Sequence, residues 1–201
     1  MRKLLASVLA SRIGEVLTPE LAIDIARTIG QSLKIELKCE NFAPSDYGDF
    51  VFSHEKMRDI LPELHVLHEA HYRETEVHRA GIALNPNYDD FVEIEERGGL
   101  LQFTARKKAS GELVGNMRVY LHESMHTKTL VCTEDTFFVL PDYRGGFMAV
   151  RLWQYVERCC IEAGAREIYF DSKTINRADA MARYLNYKPV ATKFVKVIDH
   201  V

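Results

Sequence analysis

Apolar positions near the N-terminus recur every three or four residues, which is the spacing of one helical face. A first stripe consists of Leu5, Val8, Leu9, Ile13 and Val16. Thr18-Pro19-Glu20 then predicts the start of a second helix, because threonine caps well and proline suits the first turn. The second stripe consists of Ala22, Ile25, Ala26, Ile29 and Leu33. The pattern therefore predicts a helical hairpin over residues 2–33.

Turn-forming residues between positions 44 and 48 predict a boundary, with an extension over 1–45 and a main domain over 46–201. From Leu100 the hydrophobic period changes from helical spacing to the alternation of strands. The predicted strands are 49–53, a strand from Leu100, Val114–His122, Thr129–Val139, 166–170 and 190–198. The predicted helices are 55–75, 147–163 and 176–185, with a turn or short helix from Asn85. This order predicts a mixed α/β fold with helices on both faces of one sheet.

Charge along the chain is uneven although the total is small. The 201 residues carry a net charge of -3, with 47% hydrophobic and 27% charged residues. Residues 1–40, 41–100 and 101–201 contribute +1, -8 and +4. This balance disfavours nucleic acid and anionic membranes as partners and suits a protein that handles one cationic and one anionic group. The apolar stretch before Arg12 is too short to span a bilayer.

The four cysteines give no sign of a disulfide framework or a metal site. Cys39, Cys132, Cys159 and Cys160 include no Cys-x-x-Cys spacing. A reducing cytoplasmic location is the simplest interpretation. His65, His68 and His71 share a predicted helix, but two consecutive spacings of three rarely orient three rings toward one ion. We therefore expect no metal.

The most informative segment joins a strand to a helix through two glycines. Phe137, Phe138 and Val139 end the strand, and Arg144-Gly145-Gly146 leads into the helix. Helix N-termini expose unpaired N–H groups that hold phosphate, and glycine lets backbone approach closely. The segment is neither a Walker loop nor Gly-x-Gly-x-x-Gly.

The order of motifs around this turn resembles the GNAT superfamily of acyl-coenzyme A–dependent N-acetyltransferases. The resemblance covers residues from about 49 to 198 and is also seen with small GNAT proteins of tailed phages. Its motifs are Val-x-Pro-x-x-Arg-Gly, Gly164-Ala165-Arg166, Asn176, Tyr184-Leu185-Asn186-Tyr187-Lys188-Pro189, His71-Tyr72 with Glu74, and Asn85-Pro86-Asn87-Tyr88. It implies a mostly antiparallel sheet and acetyl-coenzyme A as the cofactor.

The resemblance also assigns residues that would bind the cofactor. Its pyrophosphate loop falls on Arg144, Gly145, Gly146, Phe147, Met148 and Ala149. Phe147 stands where the family usually has glycine. The pantetheine arm would pair with Phe137, Phe138 and Val139, and Asn176 matches the asparagine before the last helix of the family.

The resemblance places a general base on the strand before the loop, where Glu134 and Asp135 are the candidates. Neighbours on a strand point to opposite faces, so we expect only one to enter the cleft and prefer Glu134. Ala182 occupies the place where the family often has a tyrosine that protonates the leaving thiolate. His71, Tyr72 and Glu74 would bind the substrate, because the family's corresponding helix lies over the amine site.

The expected activity is acetyl transfer to a primary amine of a small molecule or protein. The alternative is a catalytically inactive GNAT fold that acts as a binding or virion-associated protein. Acyl-homoserine lactone synthesis shares the fold, but its acidic and aromatic N-terminal signature is absent. Two apolar stripes cannot both be buried within a two-helix unit, so the hairpin is expected to contact the main domain or form a homodimer.

Overall fold

A computed structural model describes residues 2–32, 34–79, 81–175 and 178–198. At its centre, six strands lie side by side in chain order. They are β1 (Ser45–Tyr47), β2 (Phe50–His54), β3 (Leu100–Lys107), β4 (Leu113–Glu123), β5 (Leu130–Val139) and β6 (Glu167–Tyr169). Every neighbouring pair is antiparallel except β5 and β6, which are parallel. The mixed fold and mostly antiparallel sheet expected from the sequence are confirmed.

The helices lie largely where the periodicity places them. They are α1 (Arg2–Ala10), α2 (Pro19–Ser32), α3 (Met57–Thr75), α4 (Tyr88–Glu96), α5 (Met148–Ala163) and α6 (Ala178–Tyr184). Helix α5 carries the chain from β5 to the parallel strand β6. It ends at Gly164, whose φ of 104° is left-handed and whose N–H reaches the carbonyl oxygens of Cys160 and Ile161.

The sheet is covered on both faces. The core on one face includes Leu152, Trp153 and Val156 of α5 packed with Phe103 and Met117. The core on the other face includes Met57, Leu64 and Val92 of α3 and α4 packed with Leu113 and Phe138. Each fully buried side chain of this kind contributes roughly 1.5–3 kcal/mol, so the two layers fix the position of β5 between them.

Helices α1 and α2 form the predicted hairpin, although Leu33 at its expected end lies outside the described residues. Arg12, in the turn after α1, pairs with Asp24 of α2 at 2.5 Å. No side chain described within residues 3–30 is fully buried. The exposed apolar residues are Leu5, Leu9, Ile13, Val16, Leu17 and Ile23. An apolar surface of the hairpin is therefore left uncovered by the rest of the chain that the structure describes.

The segment after the hairpin is attached to the main domain. The N–H of Ile35 donates to the Arg97 carbonyl at 2.8 Å, and that of Lys38 donates to the Ala163 carbonyl at 3.0 Å. Phe42 is buried in the core. The division into 1–45 and 46–201 stays a prediction, and these contacts tie residues 35–42 to the second part.

Two strand predictions do not match the structure. The strand predicted over 190–198 is wrong, because this segment has no regular structure and its apolar side chains, such as Phe194 at 90%, are exposed. Its residues favour extended structure, but strand propensity needs a neighbouring strand to pair with, and β6 is paired only to β5. Conversely, β1 forms within the segment predicted as a loop, because Ser45–Tyr47 pairs with β2.

Candidate active site

Strands β5 and β6 separate part of the way along β5. They pair only from Val131 to Thr133, opposite Glu167 to Tyr169. Strand β5 then continues to Val139, while β6 has ended. The stretch from Glu134 to Val139 therefore has β4 on one side and no β6 on the other. This places Phe137, Phe138 and Val139, predicted to bind the pantetheine arm, along an open strand edge.

A β-bulge lies where the strands separate. Arg118 of β4 pairs with Thr136, whereas the next residue, Val119, pairs with Glu134. Asp135 is therefore the extra residue on β5, and an extra residue re-aims the side chains around it. Glu134 and Asp135 consequently line the same cavity. Only one of these neighbours was expected to enter the cleft, whereas both line this cavity because alternation fails at the bulge.

We call this space the acidic cavity. It is lined by His71, Glu134, Asp135, Phe137, Phe170, Asp171, Lys173 and Ala178. Its volume of about 20 Å³ is enough for roughly one water molecule. Two carboxylates beside a space of this size can act on a proton directly or through one water.

Glu134 is the buried acid of the cavity, with 7% of its surface exposed. Its Oε2 accepts a hydrogen bond of 3.2 Å from the N–H of Asp171. Burial raises the pKa of Glu134 to about 8, and the nearby charges of Asp135 and Asp171 act in the same direction. Close to neutral pH this carboxyl group can therefore both hold and release a proton, which is what a general base requires.

Asp135 is held in an ion pair. Its Oδ2 accepts hydrogen bonds from Nε and Nη2 of Arg118 at 2.8 and 2.6 Å. The Thr136 hydroxyl donates to the same oxygen at 3.0 Å. The guanidinium of Arg118 also lies 4.1 Å from the centre of the Phe91 ring. Asp135 is thus engaged by fixed donors, which leaves Glu134 as the better proton acceptor.

The three residues predicted to bind the substrate are divided by the structure. His71 lines the acidic cavity and packs on Phe138, and burial lowers its pKa, so the ring is neutral at pH 7. The Tyr72 hydroxyl instead donates to the Ile82 carbonyl at 2.6 Å. Glu74 forms a two-point ion pair with Arg144. Only His71 is therefore positioned at the cavity, while Tyr72 and Glu74 hold neighbouring segments.

The other histidines of α3 do not form a metal site. His65 Nδ1 and His68 Nδ1 lie 3.2 and 3.0 Å from the Tyr88 hydroxyl. Within the described ranges, no three His, Cys, Asp or Glu side chains converge in a way that could hold a metal ion. Their contacts join α3 to α4 instead.

The turn from Arg144 to Ala149 is held by the side chain of Arg144. Its Nε donates to the Val139 carbonyl at 2.7 Å, and Nη1 and Nη2 donate to Glu74 at 2.8 and 2.7 Å. Gly146 has a φ of 64°, which a residue with a β-carbon adopts only with strain. The predicted phosphate loop is therefore clamped between the end of β5 and the end of α3.

This turn presents a row of free donors. Helix α5 begins at Met148 without a side-chain cap, and its first backbone bond runs from Arg151 N–H to the Phe147 carbonyl. Among the described residues, the N–H groups of 145–150 have no hydrogen-bond acceptor. The Phe147 ring contacts Tyr184 of α6, with ring centres 5.9 Å apart. Free N–H groups at a helix N-terminus suit a phosphate.

Several residues of the site were missed or displaced. Lys173 lines the acidic cavity and donates to Glu76 at 2.6 Å, but it follows β6 in a segment without periodicity, so no sequence signal marked it. None of the described residues that line the cavity is a tyrosine. Tyr187 instead receives the indole N–H of Trp153 at 2.9 Å. Asn176, predicted to bind the cofactor, lies outside the described residues.

Comparison with known proteins identifies the fold and the family. The model of the acetyltransferase (GNAT) family matches residues 58–186, so the chain belongs to this family. No curated protein matches the sequence. Within the described part of the chain, no helix is both long and apolar enough to cross a membrane.

Solved structures of low sequence identity share the fold. An aminoglycoside acetyltransferase from an uncultured soil metagenomic sample has a TM-score of 0.61 and 14% identity, covering 76% of this chain and 100% of its own. Ribosomal-protein-alanine N-acetyltransferase from Brucella melitensis biovar Abortus 2308 has a TM-score of 0.58 and 18% identity, and the match covers 77% of this chain and 99% of that protein. A predicted acetyltransferase with acetyl-CoA from Clostridium acetobutylicum has a TM-score of 0.55 and 12% identity, and the match covers 74% of this chain and 96% of that protein.

Proposed function

We propose that this acetyltransferase moves an acetyl group from acetyl-coenzyme A to a primary amine, with Glu134 as the general base. The observation that carries the proposal is the position of this buried carboxyl group. It lies where β5 and β6 separate, beside a cavity for about one water, with a pKa raised to about 8. A base with a pKa near the working pH combines availability with basicity.

The residues present fit acetyl-coenzyme A. The free N–H groups of 145–150 would hold its pyrophosphate, and the open edge of β5 from Phe137 to Val139 would pair with its pantetheine amides. Bound there, the cofactor supplies a thioester carbonyl that an amine can attack. Arg144 serves by fixing the loop from behind, since its guanidinium is already engaged by Val139 and Glu74.

The chain's own residues would then manage the protons. A primary amine is mostly charged at neutral pH and must lose a proton before it attacks. Glu134 would take that proton directly or through the water for which the cavity has space. At pH 7 about one tenth of a group with a pKa of about 8 is ionised, so the ionised fraction of the base rises with pH up to and beyond 8.

The leaving thiolate would depart without a tyrosine. A thiolate is a stable leaving group, and solvent can protonate it. Lys173 is the cationic side chain that lines the cavity, and its ammonium group would stabilise the departing negative charge. An acceptor whose amine is cationic in solution would be favoured by the carboxylates near Lys173, which are those of Glu76, Asp171 and Asp135.

The acceptor class is a small polar amine or a protein amine in the cytoplasm. The free cysteines Cys39, Cys132, Cys159 and Cys160 support a reducing compartment. If the gene is phage-encoded, the location would be the host cytoplasm or the virion. The shared fold makes aminoglycosides and peptides with N-terminal alanine reasonable first acceptors.

Two measurements test the proposal. Calorimetric titration with coenzyme A and acetyl-coenzyme A should show binding, and a free-thiol assay with an amine panel should show turnover that Glu134→Gln reduces. The panel would contain an aminoglycoside, a polyamine, a peptide with N-terminal alanine and a peptide with an internal lysine. Absence of binding at millimolar cofactor would refute the proposed acetyltransferase activity. Cofactor binding without turnover across a wide panel of amines would support the alternative, a catalytically inactive binding protein.

A further inference from the structure

A second, larger cavity lies on the opposite flank of α5 from Trp153 and β6. It has a volume of about 330 Å³ and opens between β1, β2 and α5. Cavities of about 300 Å³ or more are typical of sites for small molecules. We call it the arginine cavity, and its lining includes Tyr47, Phe52, Arg151, Gln154, Tyr155 and Arg158.

Two guanidinium groups dominate the charge of this cavity. Arg151 and Arg158 are seven residues apart on α5, so they lie on one helical face two turns apart. The Arg151 guanidinium lies 6.0 Å from the ring centre of Tyr47, and that of Arg158 lies 5.2 Å from the ring centre of Tyr155. Stacking on aromatic rings orients a guanidinium while leaving its N–H edge free for an anion.

The negative charge nearby is largely paired elsewhere. Asp46, the acidic residue of the lining, lies 3.4 Å from the ammonium group of Lys108. Arg158 donates to the Ala43 carbonyl at 2.8 Å and is 3.7 Å from Glu162. Arg151 donates to Gln154 at 3.0 Å, and no carboxylate of the described residues lies within ion-pair distance of it. Arg151 is therefore the less engaged of the two cations.

The arginine cavity adjoins the phosphate loop. The Tyr47 hydroxyl would lie 3.9 Å from a β-carbon placed on Gly146, and Arg151 is one turn beyond Met148, the first residue of α5. A group bound by the loop and a group bound by Arg151 could therefore belong to one molecule or to two.

We propose that the arginine cavity binds a phosphate monoester through Arg151 and Arg158. A phosphate monoester carries close to two negative charges at pH 7, which matches two guanidinium groups, and the planar fork of arginine fits phosphate oxygens. The phosphate has two possible sources. It is either the 3′-phosphate of the coenzyme A whose pyrophosphate the loop would hold, which rests on the proposed function, or a separate phosphorylated small molecule.

Titrations with coenzyme A, dephospho-coenzyme A and inorganic phosphate distinguish these sources. If the cofactor supplies the phosphate, wild type should bind coenzyme A about tenfold or more tightly than dephospho-coenzyme A, and Arg151→Ala should lower that ratio to near one. If the source is separate, the two cofactors should bind equally. Inorganic phosphate should then bind wild type saturated with dephospho-coenzyme A and should fail to bind Arg151→Ala.

Arg166→Ala is the matched control, because Arg166 is exposed and does not line the cavity. It should behave as wild type in every titration. Equal binding of both cofactors together with no Arg151-dependent phosphate binding would overturn the site. If neither cofactor binds at millimolar concentration, the proposed function fails, and phosphate titration of the free protein and Arg151→Ala decides whether the arginine cavity is a site.

Discussion

Replacing Glu134 with glutamine should make the protein more stable and less active. Burial raises the pKa of Glu134 from 4.5 to about 8, so the folded protein holds this proton more tightly than the unfolded chain does. The resulting stability is fully present below pH 4.5 and is lost as the pH rises through 8. At about 1.4 kcal/mol per pKa unit, the loss approaches about 5 kcal/mol above pH 8. Glutamine cannot ionise and avoids this loss.

Thermal unfolding at several pH values measures the effect. Between pH 5.5 and 8.5 the advantage of Glu134→Gln over wild type should grow by about 3 kcal/mol, or roughly 6–12 °C in Tm for a chain of this size. The amide oxygen can still accept from Asp171 N–H, so the fold should be kept. In the same protein, acetyl transfer should fall about 10²–10⁴-fold. The wild-type kcat/KM should rise with pH toward a plateau above about 8, and the variant should lack this rise.

Asp135→Asn is the control for removing a neighbouring carboxylate. It leaves Arg118, whose side chain is 7% exposed, with a weaker partner. Its stability should therefore fall by about 1–3 kcal/mol without a gain that grows with pH. Parallel Tm–pH curves for wild type and Glu134→Gln would refute the raised pKa. Equal turnover in the two proteins would refute Glu134 as the base.

Three further changes test the loop and the hairpin. Gly146→Glu should weaken coenzyme A binding more than tenfold, because its carboxylate would repel the pyrophosphate. Gly146→Ala introduces the same backbone strain without the charge and should weaken binding less. Equal losses of affinity in calorimetry would contradict binding of an anion at the loop. Glu74→Ala frees Arg144 and should raise the KM for acetyl-coenzyme A several-fold with little change in kcat, and an unchanged KM would show that the clamp is dispensable. Deleting residues 1–33 retains the core contacts of Phe42, and in sedimentation it should convert a dimer of the full chain to a monomer. A full chain that is itself monomeric would contradict dimerisation through the hairpin.

The spacing of apolar residues predicted the layers of this fold, because the buried face of each helix or strand is written in consecutive residues of that element. The stripe of α5, for example, ends at a glycine whose left-handed conformation stops the helix. The segment 190–198 shows the limit of this reasoning. Its side chains favour a strand, but a strand forms only where another offers its edge, and that depends on the whole sheet.

The candidate site was predictable in its motif and not in its geometry. The strand, the two glycines and the helix are consecutive in sequence, so the loop could be found. Lys173 reaches the acidic cavity from another segment, and the ion pair of Glu74 with Arg144 joins positions seventy residues apart. Contacts of this kind leave no spacing in the sequence that could reveal them.

The bulge at Asp135 limits how the length of β5 can change. On either side of it, the side chains of β5 follow two different alternations, and the bulge is the point at which one passes into the other. Removing Asp135 would leave every other residue of β5 opposite its present partner on β4 and on its present face, because Asp135 is the extra residue that separates the two alternations. A deletion at any other position of β5 would shift neighbouring residues by one place and turn their side chains to the opposite face of the sheet. Position 135 is therefore where β5 can lose a residue without exchanging its two faces.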